Sequence, residues 1–405
     1  MCAYHLLHRL IVLIAIGITP IAALSQPATN GLKVAIDAAW QRSPQARALE
    51  AKRDEAQASK EVAGSWIANS PSIGLGQRSD RWTDQDGIRE NEISVSVPIW
   101  LPGQKTAREM LAQNSAEDLE AQIVQARLTL AGEVRERLWA VVIAQEALAE
   151  TQDHLHHLEG LTDEVMRRVK AGDLARTDGL LAQQEMLAAK NLVAAALAKE
   201  REAITRYMVL TGQTDIPQAE PESLAISVQD THPRILSTRS AVAKAQASLH
   251  AVNAIRRDPT TVSLLIRQER YPFTSDTNRS IGFALQIPLD TRIRNRPLET
   301  ATHTQIATAN AEAILAETAL QADIELANQQ LTAAQSALVT ATERAALTRE
   351  HTQLIEKAFR LGERGLAEVL RSQALSHEAG VAERQQRAAV GLAHARLNQA
   401  LGIIP

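Results

Sequence analysis

Two halves of this chain carry the same landmarks at a constant separation, and this repeat is the strongest constraint on its fold. Around the tightest match, VKAGDLARTDGLLAQ in the first half aligns with FRLGERGLAEVLRSQ in the second. A fixed period over most of the chain indicates a tandem duplication, so one supersecondary unit is built twice. Three residue pairs, each separated by 190 positions, mark the period: Pro98 and Pro288, Gly172 and Gly362, and Gly212 and Gly402.

Each copy has the pattern of a helix, two strands, a long helix, a glycine-bearing turn and a second long helix. A helix over residues 103–170 would be about 100 Å long at 1.5 Å per residue, so it must pack lengthwise against neighbours, as coiled coils do. Aromatic residues make up only 3% of the chain, which suits thin helix-on-helix packing of Ala and Leu. The predicted divisions are a signal peptide at 1–25, a first repeat at 26–213 (strands about 71–100, long helices 103–170 and 177–212), a linker at 214–230, and a second repeat at 231–405 (strands about 260–290, long helices 298–361 and 366–402).

The predicted strands alternate apolar and polar residues, so each has two different faces. In the segment SVSVPIW, Val95 and Val97 point to one face while Ser94 and Ser96 point to the other. We expect four strands in two hairpins, with polar loops at 79–90 and 272–279. Such strands fit a soluble sheet over a core, but their length, apolar alternation and end aromatics also fit an outer-membrane barrel. Four strands cannot close a barrel, so a membrane-spanning sheet requires several chains.

The N-terminal residues predict export. A weakly basic start precedes an apolar run from Leu10 to Ile18, and Ala23-Leu24-Ser25 supplies the small residues of a cleavage site, so we expect cleavage near Gln26. An uncleaved anchor needs about 20 apolar residues, and Pro20 ends this run early. The only cysteine, Cys2, would leave with the signal peptide, so the mature chain has no disulfide.

The composition and motifs exclude two broad classes of function. A net charge of −4 provides no electrostatic basis for nucleic-acid binding. The sequence contains no GxSxG, HExxH, P-loop or dinucleotide-binding fingerprint, so we predict neither an enzyme nor a cofactor. The segment HLHHLEG is a weak metal candidate, because His154 and His157 lie one helical turn apart; the alternative is a polar helix face.

This layout resembles the TolC-like outer-membrane factors of tripartite efflux systems over about residues 32–404. The paired turns KAGDLARTD and RLGERGLAE and the strand-to-helix prolines carry the resemblance. Three further stretches are most similar to the heavy-metal, CzcC-type branch of that family: NSPSIGLG, VPIWLPGQK and IPLDTRIRNRPLETA.

The resemblance implies a mainly α fold with a small membrane β portion. Three copies would form a homotrimer with a 12-stranded β-barrel in the outer-membrane lipid and an α-helical barrel in the periplasm. Pro98 and Pro288 would turn the chain from strand to tunnel wall. Such a duct is passive: an inner-membrane RND-type pump supplies the energy, and a periplasmic adaptor protein joins pump and duct.

The resemblance also assigns two groups of residues near the helical turns. The first group, which would dock the adaptor, comprises Gly172, Asp173, Leu174, Gly362, Glu363, Arg364 and Gly365. The second group, which would form a periplasmic gate or constriction, comprises Thr177, Asp178, Phe359, Arg364 and Glu368.

Two residues depart from the pattern of the family's prototype. Phe359 stands where that protein has a tyrosine, so a phenolic hydrogen bond is lost, and Arg371 stands where a second acidic ring can occur. In a trimer, an inward acidic residue becomes a ring of three like charges that attracts cations. For Asp178 and Glu368 the alternative interpretation is an ordinary solvated helix face.

Three alternatives to a metal-efflux duct stay open from the sequence. A duct of the same family could carry drugs or proteins, because the pump and adaptor largely choose the cargo. A soluble periplasmic coiled-coil scaffold is of a different class, but it has no need for four strands with apolar outer faces.

Overall fold

A computed structural model of the chain describes residues 28–83, 86–224, 231–271, 276–289 and 292–405. The predicted signal peptide, residues 225–230 of the predicted linker and residues 272–275 of the second hairpin loop lie outside the described residues.

The fold is mainly helical with one small antiparallel sheet, as predicted, and the same series of elements occurs twice. In both halves a shorter helix is followed by two strands and two long helices. The elements are α1 (Ala28–Arg42), α2 (Pro44–Gly64), β1 (Ser72–Ser79), β2 (Arg89–Ile99), α3 (Gln104–Ala171), α4 (Arg176–Thr211), α5 (Pro233–Ala254), β3 (Thr260–Arg270), β4 (Thr277–Gln286), α6 (Arg292–Arg360) and α7 (Leu366–Ala400).

Helix α1 was missed by the sequence analysis, although its apolar residues have helical spacing. Leu32, Ala35, Ile36 and Ala39 are all buried, against α3 and α4. A break then separates α1 from α2, because the extended Ser43 caps the next helix: its hydroxyl accepts a hydrogen bond from the backbone N–H of residue 46.

The four strands form one sheet in the order β1-β2-β3-β4, so the two hairpins are joined through β2 and β3. Ser96 pairs with Ser263 across this junction, with their hydroxyl oxygens 2.7 Å apart. The apolar face of the sheet is exposed and the opposite face carries mostly small and polar residues. The exposed apolar residues are Ile73, Leu75, Ile93, Val95, Ile99, Val262, Leu264, Ile266, Ile281, Phe283 and Leu285.

The passage from β2 to α3 is compact. Pro98 lies inside β2, where its carbonyl accepts a hydrogen bond from the N–H of Ala68, and the chain turns after the strand at Gly103. Gly103 has φ +83°, a left-handed conformation that glycine adopts without a steric penalty. In the second repeat, Pro288 lies just after β4.

Helix α6 begins at Arg292, six residues before the predicted start at 298, and continues through Pro297. Tertiary contacts hold these first turns. The side-chain amide of Asn295 donates to the carbonyl of Arg256 at 2.7 Å, and Arg294 pairs with Asp258 at 3.1 Å. Pro297 lies past the first turn and lacks the N–H that would bond the carbonyl four residues earlier, so these contacts, and not local propensity, keep the helix continuous there.

The long helices lie side by side in the order α4, α3, α7, α6, and α3 and α7 form the seam between the two repeats. Helices α3 and α6 have 68 and 69 residues, so each is about 100 Å long. Buried residues form several small clusters along the helices, as expected for lengthwise packing. None of the helices within the described residues has the length and apolar character needed to cross a membrane.

The middle of the predicted linker is bound to both repeats by side-chain contacts. Arg135 of α3, with only 2% of its side chain exposed, pairs with Glu222 at 2.7 Å and also donates to the carbonyl of Ile403 at 3.1 Å. Asn398 of α7 donates to the carbonyl of Ser223 at 2.9 Å. This network joins α3, the linker and the C-terminal end of α7.

Candidate functional site

The turn between α3 and α4 is closed by its own backbone. Gly172 has φ +87°, and its N–H donates to the carbonyl of Val169 at 3.1 Å, while the N–H of Asp173 donates to that of Arg168 at 2.9 Å. This is the Schellman pattern of a helix C-terminus, which needs a left-handed residue at the position of Gly172. Asp173 is exposed, and Leu174 is half-buried.

The turn between α6 and α7 repeats this geometry. Gly362 has φ +79°, its N–H donates to the carbonyl of Phe359 at 3.0 Å, and the N–H of Glu363 donates to that of Ala358 at 2.9 Å. Arg364 and Gly365 complete the turn and are exposed. The residues predicted to dock the adaptor therefore form two similar turns, each closing a helical hairpin.

A single apolar cluster joins the two hairpins just above these turns. Its members come from all four long helices, and Phe359 is the largest of them, with 3% of its surface exposed. The two hairpins therefore do not end independently. The buried members are Leu158, Val165, Ala182, Ala189, Phe359, Leu366, Val369 and Leu370.

Arg168, which the sequence analysis did not select, links α3 to Phe359 of α6. Its guanidinium carbon lies 4.9 Å from the centre of the phenyl ring, within the range of a cation–π interaction. The same guanidinium donates a hydrogen bond to the carbonyl of Phe359 at 3.4 Å. Phe359 has no phenolic hydroxyl, but it is held here by a cation instead.

The remaining gate candidates do not form one cluster. Arg364 of the turn pairs with Glu368 of α7, with Nη1 and Oε1 separated by 3.0 Å, so the acidic position is partly neutralised by a residue of the same chain. Asp178 is half-buried and makes no ion pair among the described residues, and Thr177 is exposed. Arg371 is also exposed.

The histidine pair singled out in the sequence is divided between two environments. His154 stacks against His377 of α7, with ring centroids 4.2 Å apart, while the exposed His157 bonds through Nδ1 to the carbonyl of Asp153. Within the described ranges, no group of three or more His, Cys, Asp or Glu residues could hold a metal ion.

Residues 35–213 match the family model described as outer membrane efflux protein. The match covers the first repeat and less than half of the chain. Proteins of this family are passive ducts of the outer membrane with helical extensions in the periplasm, so the chain is not an enzyme and its place is the outer membrane. Both predictions are confirmed by the family match. No curated protein has a significant match to the chain.

Solved outer-membrane proteins have the same fold over nearly the whole chain. VceC from Vibrio cholerae is 17% identical with a TM-score of 0.73, covering 92% of this chain and 96% of its own. The open state of the MtrE channel from Neisseria gonorrhoeae is 16% identical with a TM-score of 0.73, covering 92% and 89%. CusC is 14% identical with a TM-score of 0.76, covering 92% of each chain. The second repeat, which the family model does not match, therefore shares the fold of these solved proteins.

Proposed function

We propose that this chain is one subunit of a homotrimeric exit duct that carries heavy-metal cations out of the cell. An inner-membrane RND-type pump would deliver the cargo through a periplasmic adaptor. The observation that carries the proposal is a two-faced sheet with open edges that continues directly into helices about 100 Å long.

The sheet supports insertion in lipid. Along β2, the exposed apolar face runs from Ile93 to Ile99, which is about 20 Å and close to the apolar band of about 25 Å in membrane barrels. The opposite face carries Ser94 and Ser96 on β2 and Ser263 on β3. A small, polar inner face is what a water-filled duct requires.

The duplication indicates how copies join. Within one chain, β2 of the first repeat pairs with β3 of the second, and the edges left open are β1 and β4. Since β4 corresponds to β2 and β1 corresponds to β3, β4 of one copy can pair with β1 of the next by the same rule. Repetition of this step closes a ring, which removes the exposed sheet edges.

The helices follow the same rule. Within one chain α3 packs on α7, so the corresponding contact between copies joins α6 to α4. Helices α4 and α6 are the outer helices of the layer and carry large apolar residues that are more than half exposed, as expected for an interface between copies. These residues are Leu180, Leu187, Leu192 and Val209 on α4, and Ile293, Leu298, Ile314, Leu315, Leu326, Val339, Leu347 and Leu354 on α6. The number of copies, three, comes from the family resemblance.

The two glycine turns are the surface proposed for the adaptor. They project beyond the shared cluster, and their exposed residues include Asp173, Glu363 and Arg364. The proposal that the cargo is cationic rests on the acidic positions near the turns. Asp178 has a carboxylate free of ion pairs within the described residues, and three copies would place three such charges around one axis. Glu368 contributes less, since Arg364 pairs with it.

The decisive experiment is a susceptibility panel on a strain that lacks this chain, covering Zn, Co, Cd, Ni, Cu and Ag ions together with hydrophobic drugs and dyes. Hypersensitivity to one or a few metals, restored by the wild-type gene, supports metal efflux and names the cargo. Sensitivity to drugs alone retains the duct and refutes the metal cargo. Unchanged growth on the whole panel, with the protein present in the outer membrane of the parent strain, contradicts the efflux function.

The role of the turns is tested in the same strain with Gly172→Pro combined with Gly362→Pro. Proline cannot adopt the positive φ of either glycine, so both turns must deform. We expect efflux to be lost while the protein still inserts in the outer membrane. Normal efflux by this variant would contradict the assignment of the turns as the docking surface.

A further inference from the structure

The seam between the two repeats is held by an ionic contact that involves one residue of α7 and three of α3. Arg384 lies between Glu146, Glu150 and Asp153, at distances of 3.4, 2.8 and 3.2 Å. Its side chain is about one-third exposed, so the contact is reached by solvent only in part. These four residues align α7 on α3 over about two helical turns.

Next to this contact, the seam contains two imidazole rings. His154 of α3 and His377 of α7 are stacked with their centroids 4.2 Å apart and their planes 8° from parallel. Nδ1 of His377 is buried without a hydrogen-bond partner among the described residues. Two neutral imidazoles can stack in this way, but two imidazolium cations at the same distance repel each other strongly.

We propose that the stacked rings of His154 and His377 are an acid-sensitive joint, which holds α3 against α7 at neutral pH and lets the two repeats separate when the periplasm becomes acidic. The joint lies in the seam between repeats, so its opening would change the width of the helical wall. It requires only the chain's own contacts and not a particular cargo.

The environment favours the neutral rings at neutral pH. Burial, together with the smaller effects of the neighbouring rings of His377 and His157, lowers the pKa of His154 to about 4. Burial also lowers the pKa of His377, with Glu150 opposing the shift. Other charged groups on the packed helices are engaged in ion pairs: Asp153 with Arg384, Lys190 of α4 with Glu159, and Arg344 of α6 with Glu378.

The sign of the pH effect follows from these shifts. A histidine freed from the seam titrates near its ordinary pKa of about 6.5, so the separated state binds more protons than the closed one below that pH. The stabilisation of the closed seam is therefore fully present above about pH 6.5. It is lost progressively as the pH falls towards about 4, the folded-state pKa of His154.

The test is hydrogen exchange of the backbone amides at the seam, in the full-length protein in detergent, at about pH 7.5 and about pH 5. After correction for the intrinsic exchange rate, we expect protection of residues 150–157 and 374–381 to fall at least about tenfold at the lower pH, the effect of one unit of pKa difference. His154→Phe combined with His377→Phe keeps two stacked rings but removes both titrating groups, so its seam should stay protected.

Two further variants make the result decisive. His303→Phe changes an exposed histidine of α6 and should behave as the wild type does. His377→Phe alone keeps one titrating ring and should retain part of the loss, which also covers the case in which the double variant does not fold. Equal seam protection of the wild type at both pH values would overturn the proposal. So would an undiminished loss of protection in the folded phenylalanine variants.

Discussion

The guanidinium of Arg168 lies 4.9 Å from the ring centre of Phe359, 191 residues later in the chain, and also donates to its carbonyl. This contact joins the two helical hairpins directly above their turns. It also gives the phenyl ring of Phe359, which has no hydroxyl group, an electrostatic interaction with a cation.

Replacement of Arg168 by Gln should therefore weaken the contact between the two helical hairpins next to their turns. The free energy of unfolding should fall by about 1 kcal/mol, since a cation–π contact at a partly exposed site contributes about 0.5–1 kcal/mol and a hydrogen bond a similar amount. In planar bilayers the variant should pass more current at rest than the wild type. Arg167→Gln is the control, because Arg167 is exposed and makes no ion pair among the described residues. Equal resting currents in the wild type and both variants would show that this contact does not hold the two hairpins together.

Gly172 and Gly362 should resist substitution by alanine for a backbone reason. An added Cβ meets no atom within 4 Å at either position, but both residues have positive φ. Each Gly→Ala change should cost about 1–2 kcal/mol, the penalty of a left-handed conformation for an L-residue. Gly160→Ala is the control: Gly160 lies inside α3 with open space around it, so the change should stabilise by up to about 1 kcal/mol. Thermal unfolding, monitored by circular dichroism, should show a lower midpoint temperature for the two turn variants and an equal or higher one for the control.

The buried pair of Arg135 and Glu222 should be costly to break from one side. Arg135→Met leaves the Glu222 carboxylate without its partner, and we expect destabilisation of about 3–5 kcal/mol. Arg135→Met combined with Glu222→Met should recover a large part of this loss, because no unpaired charge remains. Arg396→Ala is the control, since Arg396 pairs with Glu136 on the surface and should cost at most about 1 kcal/mol. If Arg135→Met alone lowers the free energy of unfolding no more than Arg396→Ala does, water must replace the lost partner of Glu222.

The proposed contact between copies predicts the effect of charge on α6. Leu347→Glu combined with Leu354→Glu places two carboxylates on exposed apolar positions of the outer helix. If α6 packs on α4 of the next copy, the charges must be buried without partners, so the oligomer should dissociate. Size-exclusion chromatography with light scattering in detergent measures the mass. An oligomer of unchanged mass would mean that this face of α6 is not the interface.

The sequence alone was sufficient for features that depend on local periodicity. The two faces of β2, the four long helices and the glycine-bearing turns at 172 and 362 all follow from alternation, helical spacing or backbone freedom over a few residues. The same local reasoning missed α1, although Leu32, Ala35, Ile36 and Ala39 have helical spacing. It also placed the start of α6 too late, because Pro297 indicated a boundary that contacts to the preceding turn remove.

The tertiary structure alone decided which distant residues meet. The contact of Arg168 with Phe359, the stack of His154 on His377 and the pairing of Arg135 with Glu222 join positions 87 to 223 residues apart. A sequence pattern identifies which face of a helix is apolar, but not which neighbour covers it or at what height two long helices meet. That height depends on packing summed over the length of α3 and α7, and no short segment of the chain contains it.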